Sequence, residues 1–440
     1  MVNKNKNIAE DMYRWATDIF PICRSLSGSG VRDTLNYIKK LLPDLVIHEV
    51  VSGSKAFDWV VPDEWEITDA YISDEAGTVL VDFKQNNLHV VGYSEPVDIW
   101  MEKEELDKHL HSIPEQPEAI PYVTTYYKRD WGFCLTHKQR KALTSGKYHV
   151  VIKSNLKSGV LNYGELILKG KEDKEVLLST YICHPSMANN EVSGPVVTTA
   201  LVQLLQSLEE RRYTYRIVFV PETIGSIIYL SKHSKEMREK TIAGFVVTCV
   251  GDDNNYSFLP SRKGDSLSDR IAQHVLNVEK IKYTHYSFLD RGSDERQYCS
   301  PLIDLPICSI MRSKYGTYPE YHTSLDDLSF ISSSGLMGAY QVISSCLKAL
   351  ESNYYYKVTL PCEPQLGKRG LYPMLSTRNS GNEVSTMMDF LAYADGNIDL
   401  IDIANTIGSS YSICAEIASN LEKHGLLEKH TRQLNYIFRK

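Results

Sequence analysis

The sequence predicts an α/β protein: a mixed, mostly parallel sheet with helices on both faces, carrying a β-rich insert and ending in a C-terminal winged helix. Three observations carry this expectation. Strands alternate with amphipathic helices after Lys147, four of the five tryptophans crowd residues 50–135, and the residues past 380 read as short helices separated by turns. At roughly 100–200 residues per domain, 440 residues allow two to four domains with ample core.

Taken in order, residues 8–42 carry two helical stripes, one through Ile8, Met12, Trp15, Ile19 and Phe20 and one through Val31, Leu35, Ile38 and Leu41, separated by the turn-forming CRSLSGSG. From about Val50 the pattern changes to short alternating runs such as AYISDEAGTVLVDF and LHVVGYSEPVDIW, punctuated by Gly, Pro and Asn. Trp59, Trp65, Trp100 and Trp131 fall here, where they fill the core of a small β domain or line a ligand groove. KYHVVIKSNL and LNYGELILKG read as paired strands, and EVLLSTYICH as a buried strand ending on polar residues. The alternation continues through SGPVVTTALVQLLQSLEE (helix), YRIVFVPE (strand), IGSIIYLSKHSKEMREK (helix), AGFVVTCVGDD (strand), SLSDRIAQHVLNV (helix) and PICSIMRS (strand). A Pro- and Gly-rich stretch then reads as a linker, and the remainder as three helices and a terminal hairpin. The expected domains are thus a discontinuous α/β domain at 1–49 and 136–352, an insert at 50–135, a linker at 353–380 and a winged helix at 381–440.

Composition narrows the function classes. Lys plus Arg total 48 against 55 Asp plus Glu, a net charge of −7, opposite in sign to a general nucleic-acid footprint. No apolar run approaches the ~20 residues of a membrane span, and MVNKNKNIAEDMYRW lacks the apolar centre of a signal peptide, so a cytoplasmic location is expected. Nine scattered cysteines with no C-x-x-C pair argue for reduced thiols and against a zinc ribbon. Any metal must be held by histidines and carboxylates.

Ligand sites in parallel sheets gather at the carboxyl ends of strands. TYICHPSMANNEVSG delivers His184 from a buried strand and places Asn190 and Glu191 just before a helix; FVPETIGS ends a strand on Glu222; VVTCVGDDNN ends one near Asp252 and Asp253. TYPEYHTSLDDLSF supplies His322 in a loop flanked by tyrosines, preceded by LDRGSDERQY. Singly, His184 reads as a core histidine and Glu222 as a helix cap. Together, two histidines and several carboxylates at one sheet edge are the inventory for a divalent metal such as zinc with an open water position. A nearby carboxylate then deprotonates that water for attack on a carbonyl.

On these residues, 150–330 resemble the zinc-dependent aminopeptidase clan of bacterial leucyl aminopeptidase, glutamate carboxypeptidase and glutaminyl cyclase. The whole chain is similar to bacterial aminopeptidase-like proteins with a domain-of-unknown-function insert and winged helix, some encoded near polysaccharide-biosynthesis genes. The resemblance implies that His184 is the first ligand histidine, that ANNEVSG puts Asn190 at the metal-bridging Asp, and that PETIG puts Glu222 at the general base. It matches TCVG to Asp-Met-x-Gly, makes His322 the last ligand, and sets GSDERQY beside the substrate pocket.

Three ligand positions depart from the clan: Asn190 replaces the bridging carboxylate, Thr223 the second Glu, and Thr248 the strand-end Asp. A carboxylate-bridged two-zinc centre cannot be built from what remains. Either Glu191 and Asp252 complete a site for one zinc ion with His184 and His322, Glu222 acting as base, or the metal is lost and the pocket binds a ligand without cleaving it. Arg291, Asp294 and Arg296 are candidate substrate-binding residues. An acidic group there holds a substrate ammonium and an Arg holds a carboxylate, and the sequence does not choose between them. The expected partner is a small peptide or amide, with no membrane. In the winged helix five basic residues, among them Arg432, Arg439 and Lys440, face eight acidic ones, and the presumptive recognition helix exposes Glu416 and Glu422. DNA affinity rests mainly on phosphate contacts, so the module is expected to make protein contacts or homo-oligomers instead.

Overall fold

The computed structural model describes the chain apart from Met1, Tyr127, residues 372–377 and residues 432–440. It divides into two units, Met1–Ser268 with Tyr283–Gln341, and Asp269–Lys282 with Val342–Lys440.

The first unit is organised by an eight-stranded sheet. Its centre is parallel: Glu175–Tyr181 lies between Thr214–Val220 and Thr241–Val246, and Ile307–Met311 follows beyond Thr241–Val246. All seven residues of Glu175–Tyr181 and of Thr214–Val220 are buried, as expected of strands covered on both faces. Each large apolar side chain so buried contributes about 1.5–3 kcal/mol before the entropy of ordering is counted. The chain runs from Glu175–Tyr181 to its neighbour on one side, then crosses back to Thr241–Val246 on the other. Because such crossovers are right-handed, the reversal puts the intervening helices, Ser193–Gln206 and Ile224–Lys240, on opposite faces and opens a crevice at the strands' carboxyl ends.

Val46–Val51 and Val160–Leu168 pair antiparallel at the edge of this sheet, so the chain between them forms the insert. The insert is longer than residues 50–135. Lys147–Lys157 does not pair with Val160–Leu168, as its sequence suggested, but joins Glu64–Ser73 and Val97–Glu102 in a separate four-stranded antiparallel sheet. Its inward residues Val150 and Ile152 bury against the same apolar cluster as Ala70 and Ile72, and that side-chain match selects the sheet. Trp65 is a core residue whose indole donates to the Ser94 carbonyl at 2.9 Å, whereas Trp100 is exposed and stacks on His149.

The second unit contains the winged helix, which starts earlier than residue 381. Tyr355–Val358, expected within a linker, is the central strand of a three-stranded sheet between Asp395–Asp399 and Leu427–His430. Helices Arg378–Tyr393, Leu400–Ile407 and Tyr411–Lys423 complete it. Asp399 caps the second helix by accepting from Asp402 N, Gly408 ends it in the left-handed conformation, and Ser410 caps the third through Ile413 N. Glu416 is exposed. The end of the expected hairpin, with Arg432, Arg439 and Lys440, lies outside the described residues. Among the described residues, no helix is long and apolar enough to cross a membrane.

Candidate active site

Three loops that leave the carboxyl side of the parallel strands carry non-glycine residues at positive φ: Thr223 at 65°, Cys249 at 51° and His322 at 56°. Such conformations cost on the order of 1–3 kcal/mol each and persist only where surrounding contacts impose them. Here the contacts are visible. Thr223 N donates to Asp294 Oδ1 at 2.8 Å, the Cys249 carbonyl accepts from Arg312 N, and the His322 carbonyl accepts from Tyr122 N.

The Thr223 and His322 loops, with the loop that follows Glu175–Tyr181, bring His184, His322 and Glu222 together. The two imidazole rings lie 5.5 Å apart, and Glu222 Oε2 is 3.7 Å from His184 Nε2. His322 Nε2 is buried without a hydrogen-bond partner, and burial next to His184 pushes the pKa of His322 down to about 3. His322 is thus a neutral imidazole with a lone pair to offer. Tyr321 stacks on it at 3.9 Å, and Tyr122, from the insert, sets its ring 5.2 Å from His184 and 5.1 Å from His322. Glu222 accepts from Ser293 Oγ at 2.8 Å; burial nevertheless raises its pKa, the neighbouring His184 imidazole opposing the shift.

Glu191 stands behind His184 rather than beside its Nε2. One carboxylate oxygen meets His184 N and Nδ1, both at 3.0 Å, and the other lies 3.1 Å from Nε of the fully buried Arg24. Nδ1–H is thereby committed to Glu191, leaving Nε2 to face Glu222 and His322. Burial disfavours a charged His184, but Cys183 and Glu191 outweigh it and raise its pKa. Cys183, His184 and Glu191 do form a compact group of potential ligands. The Arg24 guanidinium against Glu191 disfavours a cation there, and burial pushes the Cys183 thiol up to about 11.

The remaining expected residues separate. Asp252 is not placed as a metal ligand: it accepts from Ser313 N and Oγ, Asn189 Nδ2 and Asn254 N, which uses up both oxygens. Asp294 is fully buried, accepts from Thr223 N and Ser226 Oγ, and has its pKa pushed up to about 7 by burial and by Glu222. It braces the Glu222 loop instead of facing a substrate. Arg291 is exposed and lies over the Phe288 ring at 5.0 Å. Arg296 is exposed, with Nη2 2.5 Å from Thr223 Oγ1.

Sequence reading missed Asp326, Ser293, Tyr122 and Arg24. Asp326 accepts from Asn189 N at 2.6 Å and Asn190 N at 2.9 Å, fixing the single wide helical turn Ala188–Val192; burial pushes its pKa up to about 7. Its place four residues after His322 was a usable signal. Nothing local marks Tyr122 or Arg24, which reach the site from segments distant in sequence.

His322 Nε2 is orphaned, His184 Nε2 is turned toward Glu222, and both are available to a zinc-like ion that would draw them together, whereas among the described residues the group whose ligand atoms already lie within 4.8 Å of one another is Cys183, His184 and Glu191. Asn190, where the resemblance puts a bridging carboxylate, is a neutral amide whose Oδ1 accepts from Tyr181 and whose Nδ2 has no partner.

A family model described as a domain of unknown function, DUF4910, matches residues 13–353, and a winged helix-turn-helix model matches 354–429. A Clostridium acetobutylicum protein named for polysaccharide biosynthesis with an aminopeptidase-like domain is 41% identical over 97% of this chain and 98% of its own. A crystal structure from the same organism, described as a peptidase, superposes with a TM-score of 0.91 at 41% identity, over 97% of this chain and 98% of that one. The zinc aminopeptidase of Bacillus subtilis shares the fold at a TM-score of 0.58 and 14% identity, over 78% and 94% of the two chains.

Proposed function

The chain belongs to the DUF4910 family, and on that footing we propose that it is a metal-dependent hydrolase of the aminopeptidase type that cleaves an amide or peptide bond, with Glu222 as general base. The observation that carries this reading is the convergence of His184, His322 and Glu222 at the strand ends. His184 Nε2 and His322 Nε2 would hold one zinc ion. When bound, that ion supplies Lewis-acid polarisation of a carbonyl and a water acidified toward neutral pH.

The chain's own groups supply the rest. Glu191 orients His184, with Arg24 as its counter-charge. Ser293 holds one Glu222 oxygen and leaves Oε2 facing the histidines, where it takes a proton from water and returns it to the leaving nitrogen. Asp294 anchors the strained Thr223, keeping that carboxylate in place. Tyr122 covers the two imidazoles and limits water there.

The winged helix is assigned to protein contacts or homo-oligomerisation, supported by its excess of acidic residues. A cytoplasmic location is supported by cysteines scattered along the chain with no C-x-x-C pair. The test is turnover of a panel of amino-acid amides, N-acylamino acids and, given the relative's name, acetamido sugars. Glu222→Gln is expected to lower it by about 10²–10⁴-fold with metal content intact, and equal activity in that variant removes Glu222 from the mechanism.

A further inference from the structure

We propose that Arg296 makes this site a receptor for a carboxylate-bearing substrate rather than for one presenting a free α-ammonium group. The inference rests on the hydrolase site proposed above and names its substrate class. A free ammonium needs an accessible carboxylate, and among the described residues the carboxylates that hydrogen-bond to the site loops, apart from Glu222, are not accessible. Asp294, Glu295 and Asp326 are fully buried, and each holds its own loop: Asp294 takes Thr223 N, Glu295 takes Gly292 N, Ser293 N and Tyr315 OH, and Asp326 takes Asn189 N and Asn190 N. Glu191 is spent on His184 and Arg24. The positions at which carboxylates were expected hold neutral Asn190, Thr223 and Thr248.

Arg296 has the opposite properties. It is exposed, and it donates to Thr223, the residue directly after the base. Among the described residues it forms no ion pair, and its guanidinium makes one side-chain hydrogen bond, the one to Thr223 Oγ1. A guanidinium has five N–H donors, so a planar pair remains to meet the two oxygens of a carboxylate. Its charge also reaches the neighbouring Glu222, whose carboxylate it helps to keep ionised. Arg296 is therefore a cation without an ion-pair partner, hydrogen-bonded to the strained residue that follows the base.

The experiment compares binding of N-acetyl-L-alanine and L-alaninamide to the full-length, metal-loaded protein by calorimetry. Binding, not turnover, is read, so a protein that takes the carboxylate ligand but cleaves nothing upholds this inference while defeating the hydrolase reading. N-acetyl-L-alanine is expected to bind about tenfold or more tightly, from a charge-assisted bidentate contact. Arg296→Gln should erase that preference and Arg296→Lys should restore only part of it. Arg238→Gln, which removes the same charge at the far end of the helix after Glu222, should leave the preference unchanged. Tighter binding of L-alaninamide, no binding of either compound, or a carboxylate preference that survives Arg296→Gln overturns the proposal.

Discussion

The site loops and the winged helix solve the same backbone problem in opposite ways. Two helices of the winged helix end on glycines at positive φ, Gly408 and Gly425, and its second and third helices begin on Asp399 and Ser410 caps, Cys362 being the one non-glycine at positive φ among the described residues of that stretch. The site instead forces Thr223, Cys249 and His322 into that region, one of them β-branched. It also leaves His322 Nε2 and Asn190 Nδ2 buried without partners. The first pattern minimises local conflict, and the second accepts it where chemistry needs side chains at fixed points.

The comparison can be tested from its strongest consequence down. Glu222→Gln should lower kcat by about 10²–10⁴-fold, the span of general-base catalysis, without shifting Tm downward. Glu191→Ala strands the fully buried Arg24 charge and should destabilise the fold by about 3–5 kcal/mol, read as a fall in the denaturant midpoint. A smaller loss would mean that water reaches the guanidinium. Next, two glycine exchanges should have opposite signs. Thr223→Gly relieves a φ of 65° and should raise Tm while lowering activity, whereas Gly408→Ala, at a φ of 66° with no atom near the added Cβ, should cost about 1 kcal/mol. If both lower Tm, the strain at Thr223 is not what distinguishes the two regions.

The smallest effect is on pH dependence. Glu222 works deprotonated, so activity is present above its pKa and lost below it. Burial raises that pKa, which puts the acid limb of the rate profile above the ordinary glutamate range; Ser293→Ala removes a hydrogen bond that lowers it and should move the limb further up. A downward move would show that Ser293 does not stabilise the carboxylate.

Much of this was legible in the sequence where local patterns set the outcome. Buried strands ending on His184 and Glu222, and the helices after them, follow from periodicity and from the carboxyl-end rule. Lys147–Lys157 was misread because two adjacent strands usually pair, while its partner was decided by side chains some eighty residues upstream. Asp252 was misread for a related reason: a strand-end carboxylate beside a lost ligand looks available, and only the fold reveals that Ser313 and Asn189 occupy it. The same long-range placement hid Tyr122 and Arg24. The sequence left Asp294 and Arg296 as rivals, and burial separates them, one beneath the loop and one at its surface.

The central claim, that His184 and His322 hold one ion beside Glu222, is tested most directly by elemental analysis of protein purified after zinc-replete growth. About one zinc per chain is expected, falling close to zero in the His184→Ala/His322→Ala double variant with its circular dichroism unchanged. A wild-type protein without zinc, or a double variant that keeps it, would contradict the account.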